Sequence, residues 1–189
     1  MHIKTFATAF VAVASLIGLS ACSGSDDSAA AFNDADVSFA QDMIPHHRQA
    51  TEMAKMAADR TENEQVLELA SKIIAAQQPE IDTMTGWLKS WDKKVPSESD
   101  DMGGMDHGSS SSDMPGMMTK EDMSSLAAAS DAEFDELFLT MMITHHTGAI
   151  DMAAEEEDKG KYNHAIDLAK KIQVDQAGEI DTMEQLLSS

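Results

Sequence analysis

A chain of 189 residues that is 42% apolar has room for one modest core, or two small ones, and does not call for a large enzyme. Its net charge of −21, from 34 acidic against 13 basic residues, argues against nucleic acid as a partner, because binding phosphates needs clustered Lys and Arg. Aromatic residues make up only 5%, while Ala, Met, Leu, Glu and Lys dominate, so the expected fold is all-α.

The first residues, Met1-His-Ile-Lys4, lead into the apolar run Phe6 to Leu19 and then Leu19-Ser-Ala-Cys22. This reads as a secretory signal, and the small residues before the sole cysteine resemble a bacterial lipobox, with Cys22 as the lipidated mature N-terminus. An ordinary cleaved signal is one alternative. An uncleaved anchor is the other, although the run is shorter than the roughly 20 residues a membrane span needs. All three place the body outside the cytoplasm, with the membrane as a partner through lipid on Cys22. A single cysteine allows no internal disulfide, so stability must come from helix packing and any bound metal.

The expected organisation is a signal over 1–21, a tether over 22–33 and one bundle domain over 34–189. Within that domain a first repeat (34–92) and a second (130–189) are separated by a Met/Gly/Ser-rich linker (93–119) and a short helix (120–129). Asn33, Asp34 and Asp36 offer capping oxygens for a first helix from about Val37 to Asp59, with a kink expected at Pro45. A second helix follows from about Glu64 to Asp92; its apolar face reads Leu67, Ala70, Ile73, Ile74, Ile81, Met84 and Leu88, with Gln77 inside the stripe. The linker carries Met102, Met105, His107, Met114, Met117 and Met118 without helical period, so these are candidate weak soft-metal ligands or simply linker. Ser130-Asp-Ala-Glu133 has the form of a capping box and opens a third long helix from about Asp131 to Asp158. A fourth runs from about Tyr162 to Leu187, with Ala165, Leu168, Ala169, Ile172, Gln176, Ile180, Met183 and Leu187 on one face.

The third helix repeats the first at an offset of 99 residues. Met43, His46, His47, Ala50, Met53 and Ala54 fall within an arc of about 120°, and Met142, His145, His146, Ala149, Met152 and Ala153 reproduce it. The same offset carries Gln77 to Gln176 and Glu80-Ile-Asp-Thr-Met84 to Glu179-Ile-Asp-Thr-Met183, about 21 identities in some 55 positions. Two helix pairs, neither able to bury its own face, are expected to close as a four-helix bundle that brings both His-His segments into one core.

Thioether and imidazole donors on an inward face suit a soft metal, Cu(I) or silver before zinc, and resist an oxidising compartment better than a thiolate. Adjacent histidines diverge by about 100°, so His46 and His47 are expected to serve different ions, or one to bind metal and the other a core partner. Gln77 and Gln176 are candidates to orient the ligand imidazoles. No Glu-x-x-His pair of the di-iron kind is present, and no catalytic constellation is readable. The alternatives are a metal-dependent redox enzyme, or a structural or interaction lipoprotein that takes no metal and whose histidines only hydrogen-bond in the core. No protein partner is readable.

Met43-Ile-Pro-His-His47 with Met53-Ala54, Gln77-x-x-Glu-Ile81-x-x-Met84-x-x-Trp-Leu88, Met114-Pro-Gly-Met-Met118 and Phe134-Asp-x-x-Phe-Leu-x-Met-Met-Ile-x-His-His146 resemble the domain of unknown function 305 family. That resemblance implies a secreted, ferritin-like four-helix bundle of two helix-pair repeats, some members of which are extracytoplasmic copper-binding proteins linked to copper tolerance. The ligands it implies are Met43, His46, His47, Met53, Met142, His145, His146 and Met152. The chain departs from the pattern at Leu186, where the first copy has Trp87.

Overall fold

The computed structural model describes residues 32–97 and 114–189; Cys22, Met102, Met105 and His107 lie outside them. The described residues form only helices: α1 (Asp34–Arg60), α2 (Glu64–Ser90), the short α3 (Lys120–Ala128), α4 (Asp131–Lys159) and α5 (Asn163–Leu187). None is long and apolar enough to cross a membrane.

α1 begins earlier than its apolar pattern suggests, because Asn33 and Asp36 form a reciprocal capping box that recruits the polar first turn. It runs through Pro45, as α2 runs through Pro79, with neither helix interrupted. The capping box expected at Ser130 does not form. Asp131 takes φ 52°, so the chain enters α4 through a left-handed residue, and Ser130 makes no side-chain cap. A capping box does form one helix earlier, between Thr119 and Asp122 at the start of α3. Leu187 is exposed rather than part of the α5 core face, and α2 buries Val66 and Leu69 in addition to the stripe read from sequence.

α1 packs along α2 and α4 along α5, and the two hairpins meet through α1 and α4; α2 and α5 scarcely touch. This is an all-α bundle whose two halves obey the 99-residue repeat. The core divides into two clusters. One holds Met43, Met84, Ala149 and Ala153 with Met152 at its edge; the other holds Met142, Met183, Ala50, Ala54 and Met53. The repeat offset exchanges Met43 with Met142, Met84 with Met183 and Met53 with Met152, so each cluster is the other's pseudo-twofold image. It follows that α1 and α4 cross antiparallel, with the histidines nearest the axis.

One junction of the bundle is held by carboxyls. Asp36 accepts from the backbone N–H groups of Asn33 (2.6 Å), Tyr162 (2.9 Å) and Lys161 (3.0 Å), tying the start of α1 to the α4–α5 turn. Burial works to raise its pKa, but these bonds outweigh it and hold Asp36 below the usual value. Glu156 lies beside it, fully buried, and neither of its oxygens receives a hydrogen from a donor among the described residues. Burial and the neighbouring Asp36 push Glu156 up to about 8, so at neutral pH it keeps its proton and can donate it to Asp36. Stability from a raised carboxyl pKa is complete below the unfolded value of about 4.5 and is lost as pH rises through 8. Glu156→Gln keeps a donor without the titration. It is expected to flatten the melting temperature between pH 5 and 8 and raise it at pH 8 by about 2–4 °C. Parallel thermal melts of the variant and wild type with the same slope would refute this.

Candidate metal centre

The four histidines of the repeated segments are all buried. At the crossing of α1 and α4 the rings of His46 and His145 lie 3.8 Å apart between centroids, tilted by 45°. His47 and His146 point away from that pair, each toward the second helix of its own hairpin. His47 Nε2 lies 2.8 Å from Glu80 Oε2 on α2, and His146 Nε2 lies 2.6 Å from Glu179 Oε2 on α5. His46 Nε2 lies 2.9 Å from the carbonyl oxygen of Pro115. Carbonyl and carboxylate oxygens only accept, so in all three contacts Nε2 carries the hydrogen and donates it. With Nε2 carrying the hydrogen, the nitrogen left to offer a lone pair is Nδ1. The Nδ1 atoms of His46, His47, His145 and His146 are buried and have no hydrogen-bond partner among the described residues.

That pattern is the one a metal-binding imidazole requires: one nitrogen fixed by an acceptor, the other left bare. Burial drives the pKa of His46 down to about 3, against a smaller upward pull from the Pro115 contact, with the neighbouring imidazoles lowering it further. Burial and the neighbouring imidazoles likewise hold His145 well below its usual value. Both rings are neutral at any ordinary pH, so protons do not compete for their lone pairs.

Glu80 and Glu179, one turn beyond Gln77 and Gln176, are the side chains that orient His47 and His146. Burial works to raise the Glu80 pKa, but hydrogen bonds from His47 and from Lys171 (2.9 Å) hold it below the usual value. Gln77 and Gln176 are themselves buried; neither amide atom of Gln77 and not the oxygen of Gln176 has a partner. The repeat Gln-x-x-Glu was visible in the sequence, but nothing there separated its amide from its carboxylate. Met43, Met53 and Met142 are fully buried and Met152 is half-buried. Met84 and Met183, read from sequence only as core, are equally buried and join the same two clusters. On each side, therefore, three thioethers gather from three helices: Met43, Met84 and Met152 from α1, α2 and α4, and Met142, Met183 and Met53 from α4, α5 and α1. No three His, Cys, Asp or Glu side chains among the described residues converge as a ready chelate. An ion held here would have to draw on sulfur.

The linker's end breaks the symmetry. Residues 114–119 lie across the crossing: Gln49 Nε2 donates to the Met118 carbonyl (2.9 Å) and Gln49 Oε1 accepts from the Met118 N–H (2.7 Å). Gly116, at φ +76°, and Gly148 on α4 allow the segment to lie against the helix backbone. Met114, Met117 and Met118 are half-buried in this segment, and Met118 packs against the cluster containing Met53 and Met142. Among the described residues His145, the pseudo-twofold mate of His46, has no such strap, and neither of its ring nitrogens has a hydrogen-bond partner. His164 is exposed, edge-on to Tyr162.

The model of the family described as Domain of unknown function (DUF305) matches residues 36–187. No curated protein matches the chain. Among solved structures, a DUF305 protein from Streptomyces coelicolor is 32% identical with a TM-score of 0.72, over 82% of this chain and 91% of that one. A DUF305 fragment from Deinococcus radiodurans is 29% identical with a TM-score of 0.71, over 82% and 97%. CopM in its Cu(II)-bound form is 33% identical with a TM-score of 0.66, over 80% and 94%, and CopM has also been solved with Cu(I) and with silver.

Proposed function

This chain belongs to the DUF305 family, and from that footing we propose that it is an extracytoplasmic, lipid-anchored copper-binding protein. It holds Cu(I) in the bundle core for buffering, tolerance or delivery and makes or breaks no covalent bond. The observation that carries the reading is the set of four buried Nδ1 atoms without partners, three of them on rings whose Nε2 is already tied to an acceptor. A purely structural histidine would use both nitrogens or leave one to solvent. Imidazole nitrogen beside thioether sulfur selects a soft cation, and Met43, Met53, Met142 and Met152, with Met84 and Met183, supply the sulfur. The likeness to CopM, which has been solved with Cu(I), Cu(II) and silver, supports the choice of metal. The apolar leader ending in Leu19-Ser-Ala-Cys22 supports the location, as does a Streptomyces coelicolor relative described as secreted.

Titration with Cu(I) against a competing chelator tests the reading. Replacing His46, His47, His145 and His146 together by Ala is expected to weaken binding at least about 100-fold, more than loss of an orienting partner alone produces. Because binding to the folded state alone stabilises it, saturation at about 1,000 times Kd should add about 4 kcal/mol to wild type and almost nothing to the variant. Equal affinity in the two proteins would refute the core site.

A further inference from the structure

The groove between α1 and α4 has two halves that the repeat should make alike, and they are opposite in character. One half is floored by Met53 and lined by Phe134, Leu137, Phe138, Met141, Met56 and Ala57, and α3 covers it with Met123 and Leu126. In the other half the 99-residue offset puts Asp42 where Met141 stands, Glu155 in place of Met56 and Glu156 in place of Ala57. There the groove is open: a cleft of about 310 Å³ lined by Asp34, Ser38, Phe39, Asp42, Glu155 and Glu156, with Met152 on its wall. Glu156, 1% exposed, lines the same cleft with both oxygens lacking a donor. Its polar neighbour Asp36 already accepts three backbone bonds, so Glu156 must take up a proton or a cation. Lys159, bonded to Glu155 at 2.6 Å, neutralises part of the charge at the rim.

We propose that this acidic cleft is the port through which hydrated metal cations enter, drawn in by Asp42 and Glu155 and passed beside Glu156 to the Met152 thioether. The proposal rests on the reading of Met152 as one of the core ligands. The carboxylates do not converge into a chelate, so the cleft concentrates the ion without trapping it, while the half-buried sulfur belongs to the cluster of Met43 and Met84. A concave wall of one charge sign raises the local concentration of counter-ions and their on-rate, and salt abolishes the effect. In the covered half the residues beneath α3 are apolar, and its carboxylates Glu133 and Glu136 stand exposed.

Uptake of aqueous Ag(I) by the full-length protein, followed in stopped flow with an indicator of free ion, tests the port. Asp42→Asn combined with Glu155→Gln is expected to slow uptake about fivefold at low ionic strength, and not at high salt. Final stoichiometry should be unchanged. Ser38→Lys, at an exposed position in the cleft, should slow uptake at least as much. The control Glu133→Gln with Glu136→Gln removes two exposed charges from the covered half and should leave the rate alone. Wild-type rates in both cleft variants, or an equal slowing in the control, would overturn the port while leaving the core site standing. Absence of silver uptake by wild type would overturn the core site and the port together.

Discussion

Acidification of the metal-free protein from pH 6.5 to 4.5 is expected to remove about 3 kcal/mol of stability through His46 alone. The unfolded imidazole titrates near 6.5 and the folded one near 3, so below pH 6.5 the unfolded chain binds a proton that the folded chain excludes. Each pH unit within that window is worth about 1.4 kcal/mol, and the loss continues toward pH 3. His145, shifted in the same direction, adds to it. So does Glu80, whose lowered pKa makes its contribution disappear as pH falls through the acid range. Glu156 acts with the opposite sign between about 4.5 and 8, so the two buried systems set a stability maximum near the middle of the range. Urea unfolding at pH 7.0, 5.5 and 4.5 measures the slope. His46→Leu with His145→Leu keeps the core apolar and should leave the opposite slope of Glu156, so that acidification from pH 7.0 to 4.5 no longer destabilises the variant. A midpoint that stays constant from pH 7.0 to 4.5 in Glu156→Gln, where the opposing carboxyl no longer titrates, would refute the neutral buried pair.

Gly148→Ala is expected to destabilise the fold by about 1–3 kcal/mol, a fall of roughly 3–8 °C in melting temperature, although Ala is the better helix former. A Cβ at this position would meet the Pro115 carbonyl oxygen at 2.1 Å and the Gly116 nitrogen at 2.7 Å. Both are backbone atoms, so no rotamer change relieves the overlap and the 114–119 segment must lift. His46 Nε2 then loses its acceptor, and Cu(I) affinity should fall about 10–100-fold, the range for losing a partner that orients a ligand. Gly178→Ala is the control. A Cβ there meets nothing within 4 Å, so the substitution should be neutral or slightly stabilising. Thermal melts in which the two variants behave alike would show that the strap does not depend on the close approach.

The all-α architecture and the pairing of hairpins were legible because the evidence for them is periodic: helical spacing of apolar residues and one phrase repeated 99 residues apart. Burial of His46, His47, His145 and His146 followed from the same periodicity. What their nitrogens bond to did not. The Pro115 contact joins residues 69 positions apart through a backbone carbonyl, which carries no side-chain signature, and only the glycines at 116 and 148 hinted at close approach. Gln77 and Glu80 both recur in the repeat and lie on the inner side of α2, so sequence alone offered no means of choosing which one reaches His47. The cap at Ser130 was a local pattern overridden by the left-handed entry at Asp131. The contrast between the two groove halves was readable only after the antiparallel crossing was known, since it compares α1 residues of one copy with α4 residues of the other.

Both tryptophans of the chain, Trp87 and Trp91, stack within 6.1 Å of each other and pack against the cluster containing Met43 and Met84. Leu186 stands at the repeat position of Trp87. Indole emission therefore reports on one half of the molecule only. A quenching ion that fills the two halves in sequence would produce a break in the emission titration, and its position would show which half is occupied first, without any label.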